Sequence, residues 1–244
     1  QRPGDGFPLL AFGHGTTGLG DQCAPTRRSN PTETIALLED FLRRGYAVAA
    51  TDYEGLGTPE LHQYLVGPSQ SHSLLDSARA AQRFAGAGAK VVLFGHSQGG
   101  HAVILANETA SSYAPELDFV GTIGSGSGVI DDSGAILTVL KRSYYKGYAV
   151  MAAWAQRAAY GDGAAPLSLW LTDYGIQLSQ GIESRCVGEI IDDYSAIAGD
   201  LLFGPGAPLP KNGIDVDYAE SIPGLRDGAS PLLMIHGRND DQIP

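Results

Sequence analysis

Hydrophobic positions along the chain fall into short unbroken runs that alternate with stretches of helical period. Residues 7–15 read Phe-Pro-Leu-Leu-Ala-Phe-Gly-His-Gly, a strand-like run that leads into His14-Gly15-Thr16-Thr17-Gly18. Residues 32–44 place apolar side chains at 35, 37, 38, 41 and 42. That spacing predicts one face of a helix, with Asn30-Pro31 as its start signal and Gly45 as its stop. A second strand is predicted over 46–53, followed by the loop Glu54-Gly55-Leu56-Gly57-Thr58-Pro59. Periodicity and alanine content predict a helix over 71–85. Val91-Val92-Leu93-Phe94 reads as a buried strand, and Ala102-Val103-Ile104-Leu105-Ala106 as the helix after it. Residues 119–124 form a further strand that enters Gly124-Ser125-Gly126-Ser127-Gly128, and 232–236 form the last. Strands that are continuous apolar runs rather than alternating ones, interleaved with helices, predict an α/β fold. Its sheet is mostly parallel and covered by helices on both faces.

From about residue 130 to 225 the alternation stops. Helical stretches are expected near 134–146, 148–160, 166–180 and 185–201, with no buried strand among them. The expected organisation is therefore a core of residues 1–129 and 226–244 and a helical cap, or lid, of residues 130–225. Ligands of open α/β sheets bind at the carboxyl ends of the strands. An insertion at that end sits over the active face. Tyr144, Tyr145, Tyr148, Trp154, Tyr160, Trp170 and Tyr174 are concentrated there. Most of them are expected to fill the cap's own core and some to line an apolar acyl-binding tunnel. The cap is also where transient contact with a lipid interface is expected.

A chain of 244 residues can bury a full core. Its net charge of −11 argues against a nucleic-acid partner and against electrostatic docking on anionic lipid. No apolar run approaches the ~20 residues of a membrane span, so no integral membrane segment is expected. Cys23 and Cys186 lie far apart and outside any C-x-x-C pair, which argues against metal and redox motifs. Two buried thiols, or one long-range disulfide of an exported protein, remain. Gln1-Arg2-Pro3-Gly4 reads as a mature or trimmed end.

The candidate chemistry centres on Gly95-His96-Ser97-Gln98-Gly99. Between a strand and a helix, G-x-S-x-G forms a nucleophile elbow, a turn so tight that both flanking positions must be glycine. The Ser97 hydroxyl then stands near a helix start, whose free N–H groups favour a developing negative charge. The backbone N–H of Gln98 and that of Thr16, with Thr17 as the alternate, are the expected oxyanion donors. A serine needs a base, and the base an orienting acid. His236-Gly237-Arg238-Asn239-Asp240-Asp241-Gln242-Ile243-Pro244 puts Asp240 in the acid position after a late strand. A turn or helix-cap aspartate is the competing reading, and Asp241, Asp131 and Asp132 are the other candidates. The six histidines are His14, His62, His72, His96, His101 and His236, and none follows Asp240, where the base belongs. His96 is expected to point away from Ser97. His14 and His236 should pack or hydrogen-bond loops, His101 lies in the elbow helix, and His62 and His72 are expected in a surface-like loop. The base is accordingly expected beyond Pro244, and the chain is expected to start at what would be the third strand, so both ends read as cut. This chemistry calls for no metal and no organic cofactor.

At these residues the chain resembles the secretory lipase family of fungi and actinobacteria, within the α/β-hydrolase superfamily. The matching text is His14-Gly15-Thr16-Thr17-Gly18, Cys23-Ala24-Pro25, Ala50-Thr51-Asp52-Tyr53-Glu54-Gly55-Leu56-Gly57, Gly95-His96-Ser97-Gln98-Gly99-Gly100 and His236-Gly237-x-x-Asp240. The resemblance implies an α/β-hydrolase fold with a helical lid and export from the cell. It also implies hydrolysis of carboxylic esters, from short acyl esters to triacylglycerols, through an acyl-enzyme. It further implies a Cys23–Cys186 bridge from the Cys-Ala-Pro segment to the cap. Two other readings use the same residues: acyl transfer or deacetylation of a specialised metabolite, and a catalytically inactive hydrolase fold that serves as a binding protein.

Overall fold

A computed structural model describes residues 4–128, 144–204 and 218–243. Five strands, β1 (Phe7–Gly13), β2 (Ala47–Ala50), β3 (Ala87–His96), β4 (Asp118–Ser125) and β5 (Leu232–Ile235), form one sheet. Their order is β2-β1-β3-β4-β5, and every neighbouring pair is parallel. β3, which leads to Ser97, is thus the middle strand.

Side chains leave β1 alternately to the two faces, as strand geometry requires. Leu9 and Ala11 join Val91, Leu93 and the inward faces of α2 (Gly67–Ala80) and α3 (Gln98–Tyr113) on one side. Leu10 and Phe12 meet Phe94, Ile35 and Phe41 on the other, where α1 (Leu38–Arg43) packs. Apolar cover on both faces is what makes the strands read as continuous runs.

Several elements depart from their expected lengths. The helix over 32–44 divides into a 3-10 turn, Pro31–Thr34, and α1, because Leu37 takes the left-handed conformation at φ 57°. Two of the positions expected on its apolar face, Leu37 and Leu42, are exposed. The strand over 46–53 shortens to β2. α2 starts four residues before the expected 71, with Pro68 in its first turn, a position where the missing N–H has no helical partner to lose. Its far end, Ala81–Ala85, winds as a π-turn. β5 is half exposed rather than buried. Among the described residues it pairs with β4 alone, and Leu232, Leu233, Met234 and Ile235 are each between 43% and 54% exposed.

Between β4 and β5 lie α4 (Lys146–Ala164), α5 (Asp173–Leu178), α6 (Val187–Ser195) and α7 (Gly199–Leu202). The stretch expected at 148–160 is α4. The one at 166–180 divides into a 3-10 turn, Leu167–Leu169, and α5, which Thr172 caps through the Gly175 N–H. The one at 185–201 divides into α6 and α7. Most of the stretch expected at 134–146, with Asp131 and Asp132 before it, lies outside the described residues. These helices enclose an apolar cluster of their own that holds Tyr148, Trp170 and Tyr194, with Leu19 and Tyr64 contributed from the loops beneath. Tyr144 and Tyr174 are exposed. Cys23 and Cys186 form the disulfide, tying the loop after β1 to the N-cap of α6 with their Cα atoms 5.4 Å apart.

Candidate active site

Ser97 joins β3 to α3 with φ 57° and ψ −119°, a region that a residue with a side chain enters only when its surroundings enforce it. Two close approaches do so here. A Cβ at Gly95 would overlap the Gly99 carbonyl, and one at Gly99 would overlap the Gly13 carbonyl at the end of β1. The turn is also tied to the neighbouring strand by the Ser97 N–H, which donates to the Ser125 carbonyl at 2.9 Å. The hydroxyl therefore stands above the middle of the sheet, beside the first, unpaired N–H groups of α3.

The loop after β1 closes over this turn. A Cβ on Gly15 would lie 3.7 Å from the Ser97 Cβ. The next residue, Thr16, donates its hydroxyl to the Tyr64 oxygen at 3.1 Å. Thr17 offers its carbonyl to the Val187 N–H at the start of α6, at 2.9 Å. Beneath the loop, the Tyr53 hydroxyl donates to the His14 carbonyl at 3.2 Å. Burial pushes the Tyr53 and Tyr64 phenols well above their usual range, so both hydroxyls stay protonated.

Asp240 lies two strands across, past the end of β5. Its Oδ1 accepts from the backbone N–H groups of Gln242 at 3.1 Å and Ile243 at 2.9 Å. Its Oδ2 faces Gly126, where a Cβ would lie 3.8 Å from that oxygen and 3.1 Å from the His96 ring. His236 lies alongside, with its Nε2 3.7 Å from Oδ2 and donating to the Ile243 carbonyl at 2.7 Å. One carboxylate oxygen is thus held by the backbone while the other is turned toward the end of β4.

The six histidines all have their contacts elsewhere than at Ser97. His14 lies between the Gly15 and Asp52 carbonyls. His72 stacks on Tyr113 at 3.8 Å, and it sits on α2 rather than in a loop. His96 is exposed beside Gly126. His62 differs most from expectation: it is fully buried, at 0% exposure. Its Nδ1 donates to the Glu54 carbonyl at 2.7 Å and its Nε2 accepts from the Gln98 side-chain amide at 2.7 Å. His101 is also buried and meets Gln70 and the Ser221 carbonyl. Burial lowers the pKa of both His62 and His101 to about 4, which keeps them neutral.

Residues 29–203 match the family model described as secretory lipase. The chain belongs to the secretory lipase family. It is 28% identical to lipase A of Moesziomyces aphidis over 187 residues, 70% of this chain and 39% of that protein. It is 25% identical to the secreted triacylglycerol lipase LIP7 of Malassezia globosa over 253 residues, 91% of this chain and 50% of that protein. A probable inactive lipase of Mycobacterium tuberculosis, MT1628, is 28% identical over 248 residues, 85% of this chain and 53% of that protein. The chain spans about half the length of these curated relatives. Its structure resembles that of Candida antarctica lipase A with a TM-score of 0.77 at 23% identity, covering 100% of this chain and 60% of that one. It resembles the rice cell wall degrading esterase LipA of Xanthomonas oryzae with a TM-score of 0.72 at 21% identity, covering 100% and 69%. The fold is that of the α/β-hydrolases.

In this chain, three polar residues around the elbow carry no local signal in the sequence: His62, Gln70 and Tyr64. Each lies in the stretch between β2 and α2 or in the first turn of α2, and none sits in a recognisable motif. A polar residue expected in a loop yet followed by Tyr64-Leu65-Val66 was the available hint that this loop folds inward. A cavity of about 680 Å³ opens between the loop after β1 and α4, lined by Leu19, Pro59, Leu61, Trp154 and Arg157 among others. It takes in Trp154 but none of the expected catalytic residues.

Proposed function

We propose that this chain carries the nucleophile, the orienting acid and both oxyanion donors of a serine carboxylic-ester hydrolase. The observation that carries the reading is Ser97, held at φ 57° at the head of the middle strand and the start of α3. In the proposed reaction the Ser97 Oγ attacks the ester carbonyl carbon. Its proton passes to a histidine expected beyond Pro244, which Asp240 orients through Oδ2. The oxyanion accepts from the N–H groups of Gln98 and Thr16; losing one such donor costs about 3–4 kcal/mol of transition-state stabilisation. Collapse expels the alcohol, which takes the proton from the imidazolium. Water, deprotonated by the same base, then releases the acid from Ser97.

The substrate class is a small-molecule or lipid ester. The helices between β4 and β5 are proposed as a cap over the site, and exposed Tyr174 and Leu201 support brief contact of that cap with a lipid interface. Export from the cell is supported by the disulfide and by relatives named as secreted. The test is Ser97→Ala in the full-length protein, assayed on a series of p-nitrophenyl esters. Turnover should vanish, and unchanged turnover sinks the assignment. The chain-length preference in that series separates a lipase from a short-chain esterase, and competition of alcohols with water separates acyl transfer from hydrolysis. Likeness to a probable inactive lipase favours a second reading, a binding protein on the same fold. A fluorophosphonate probe decides: the binding reading requires that Ser97 stay unlabelled in the full-length protein.

A further inference from the structure

We propose that His62 and Gln70 are positioning residues that hold the Gln98 peptide N–H in place as an oxyanion donor, an inference that rests on Ser97 being the nucleophile. Gln98 is the first residue of α3 and 2% exposed. Both hydrogens of its side-chain amide are used, one on His62 Nε2 and one on Gln70 Oε1, each at 2.7 Å. The direction of every bond follows from fixed carbonyls and one backbone N–H. The Glu54 carbonyl accepts from His62 Nδ1, so the single proton of the neutral ring is there and Nε2 must accept. The Leu65 N–H donates to Gln70 Oε1 at 3.2 Å, which fixes that amide's oxygen end. Gln70 Nε2 then donates to His101 Nδ1 at 3.0 Å, and His101 Nε2 donates to the Ser221 carbonyl at 2.9 Å. One arrangement of protons accounts for every one of these bonds, from the loop after β2 to the 3-10 turn Tyr218–Ser221.

This chain of side chains grips the elbow at the first residue of α3. Rotating the Ser97–Gln98 peptide would pull the Gln98 amide off two partners in a dry interior, where a broken hydrogen bond is expensive. The arrangement also leaves the Gln98 Oε1 buried without a partner among the described residues. An amide held through both of its donors is fixed by two partners at once. It is well arranged to fix the direction of the residue that bears it.

The experiment uses the full-length protein, p-nitrophenyl butyrate and a fluorophosphonate, whose adduct places a phosphoryl oxygen where the oxyanion sits. His62→Leu removes the acceptor. We expect kcat to fall about tenfold or more with KM changed less than twofold, and phosphonylation of Ser97 to slow by a similar factor. His62→Gln, whose amide oxygen can accept, should recover most of the rate. Should His62→Leu not fold, Gln70→Met and Gln98→Met each remove half or all of the grip and keep the backbone N–H, and the same loss is expected. Rates are taken per labelled serine, so a folding defect alone does not move them. Wild-type rates in the folded variants, or His62→Gln as slow as His62→Leu, overturn the positioning role. Absence of labelling in the unmodified protein overturns the nucleophile reading itself, and the positioning role falls with it.

Discussion

At Gly99 the backbones of the elbow and of β1 come so close that a single methyl group has no place. Gly99→Ala would drive a Cβ into the Gly13 carbonyl, and backbone, unlike a side chain, cannot rotate away. Overpacking of this kind costs about 1–3 kcal/mol or more. A lower urea midpoint is expected, together with loss of Ser97 phosphonylation in whatever remains folded. The buried imidazoles give a second expectation. His62 and His101 have folded pKa values lowered to about 4 against an ordinary value of about 6.5 in the unfolded chain. Between those limits the unfolded chain binds more protons. Stability should therefore be full above pH 6.5, fall as the pH drops from 6.5 to 4, and level off below. The loss is on the order of 3 kcal/mol per histidine at its full extent, and urea titrations across that range will measure it. A melting profile flat from pH 7 to 4 would refute it. Ser97, Gly95 and Gly99 were legible in the sequence because an elbow is written within five neighbouring residues. His62 and Gln70 were not, since their partner Gln98 lies 36 and 28 positions away and no local pattern encodes such a contact.

Among the elements, the disulfide carries the clearest expectation. It joins residues 163 apart in sequence, one in the loop after β1 and one at the N-cap of α6. By chain entropy, a link across so long a span contributes roughly 4–5 kcal/mol, with strain and residual structure lowering the observed figure. Reduction, or Cys23→Ala, should lower the melting temperature. It should also raise hydrogen exchange in α6 before the strands of the sheet, as comparison with and without reductant will show. The pairing was legible only through the resemblance of the Cys-Ala-Pro segment; two cysteines alone left free thiols as an alternative. Helix and strand types were read from periodicity, but their lengths were not. The left-handed Leu37 that shortens the first helix is an apolar residue inside an apolar pattern, and nothing in that pattern marks it.

For the molecule as a whole, alternation of apolar runs with helical stretches was enough to give a parallel sheet, because burial on both faces leaves that trace in every strand. It did not give the exposure of β5, which depends on what stands beside it rather than on its own residues. A row of half-exposed Leu232, Leu233, Met234 and Ile235 on a sheet edge is a predicted site of aggregation. A sample of residues 1–244 should turn turbid as its concentration rises, and Leu233→Lys should raise the concentration at which this happens. The net charge of −11 opposes such association at long range but is screened beyond about 8 Å at physiological salt. The bridge between Cys23 and Cys186 has a further meaning while the chain is being made. At synthesis rates of about 5–20 residues per second, the first thiol waits roughly 10 to 30 s for the second to appear 163 residues later. No other cysteine lies between them. Within this span there are no disulfide isomers to sort, so during that interval nothing between the two residues competes for Cys23.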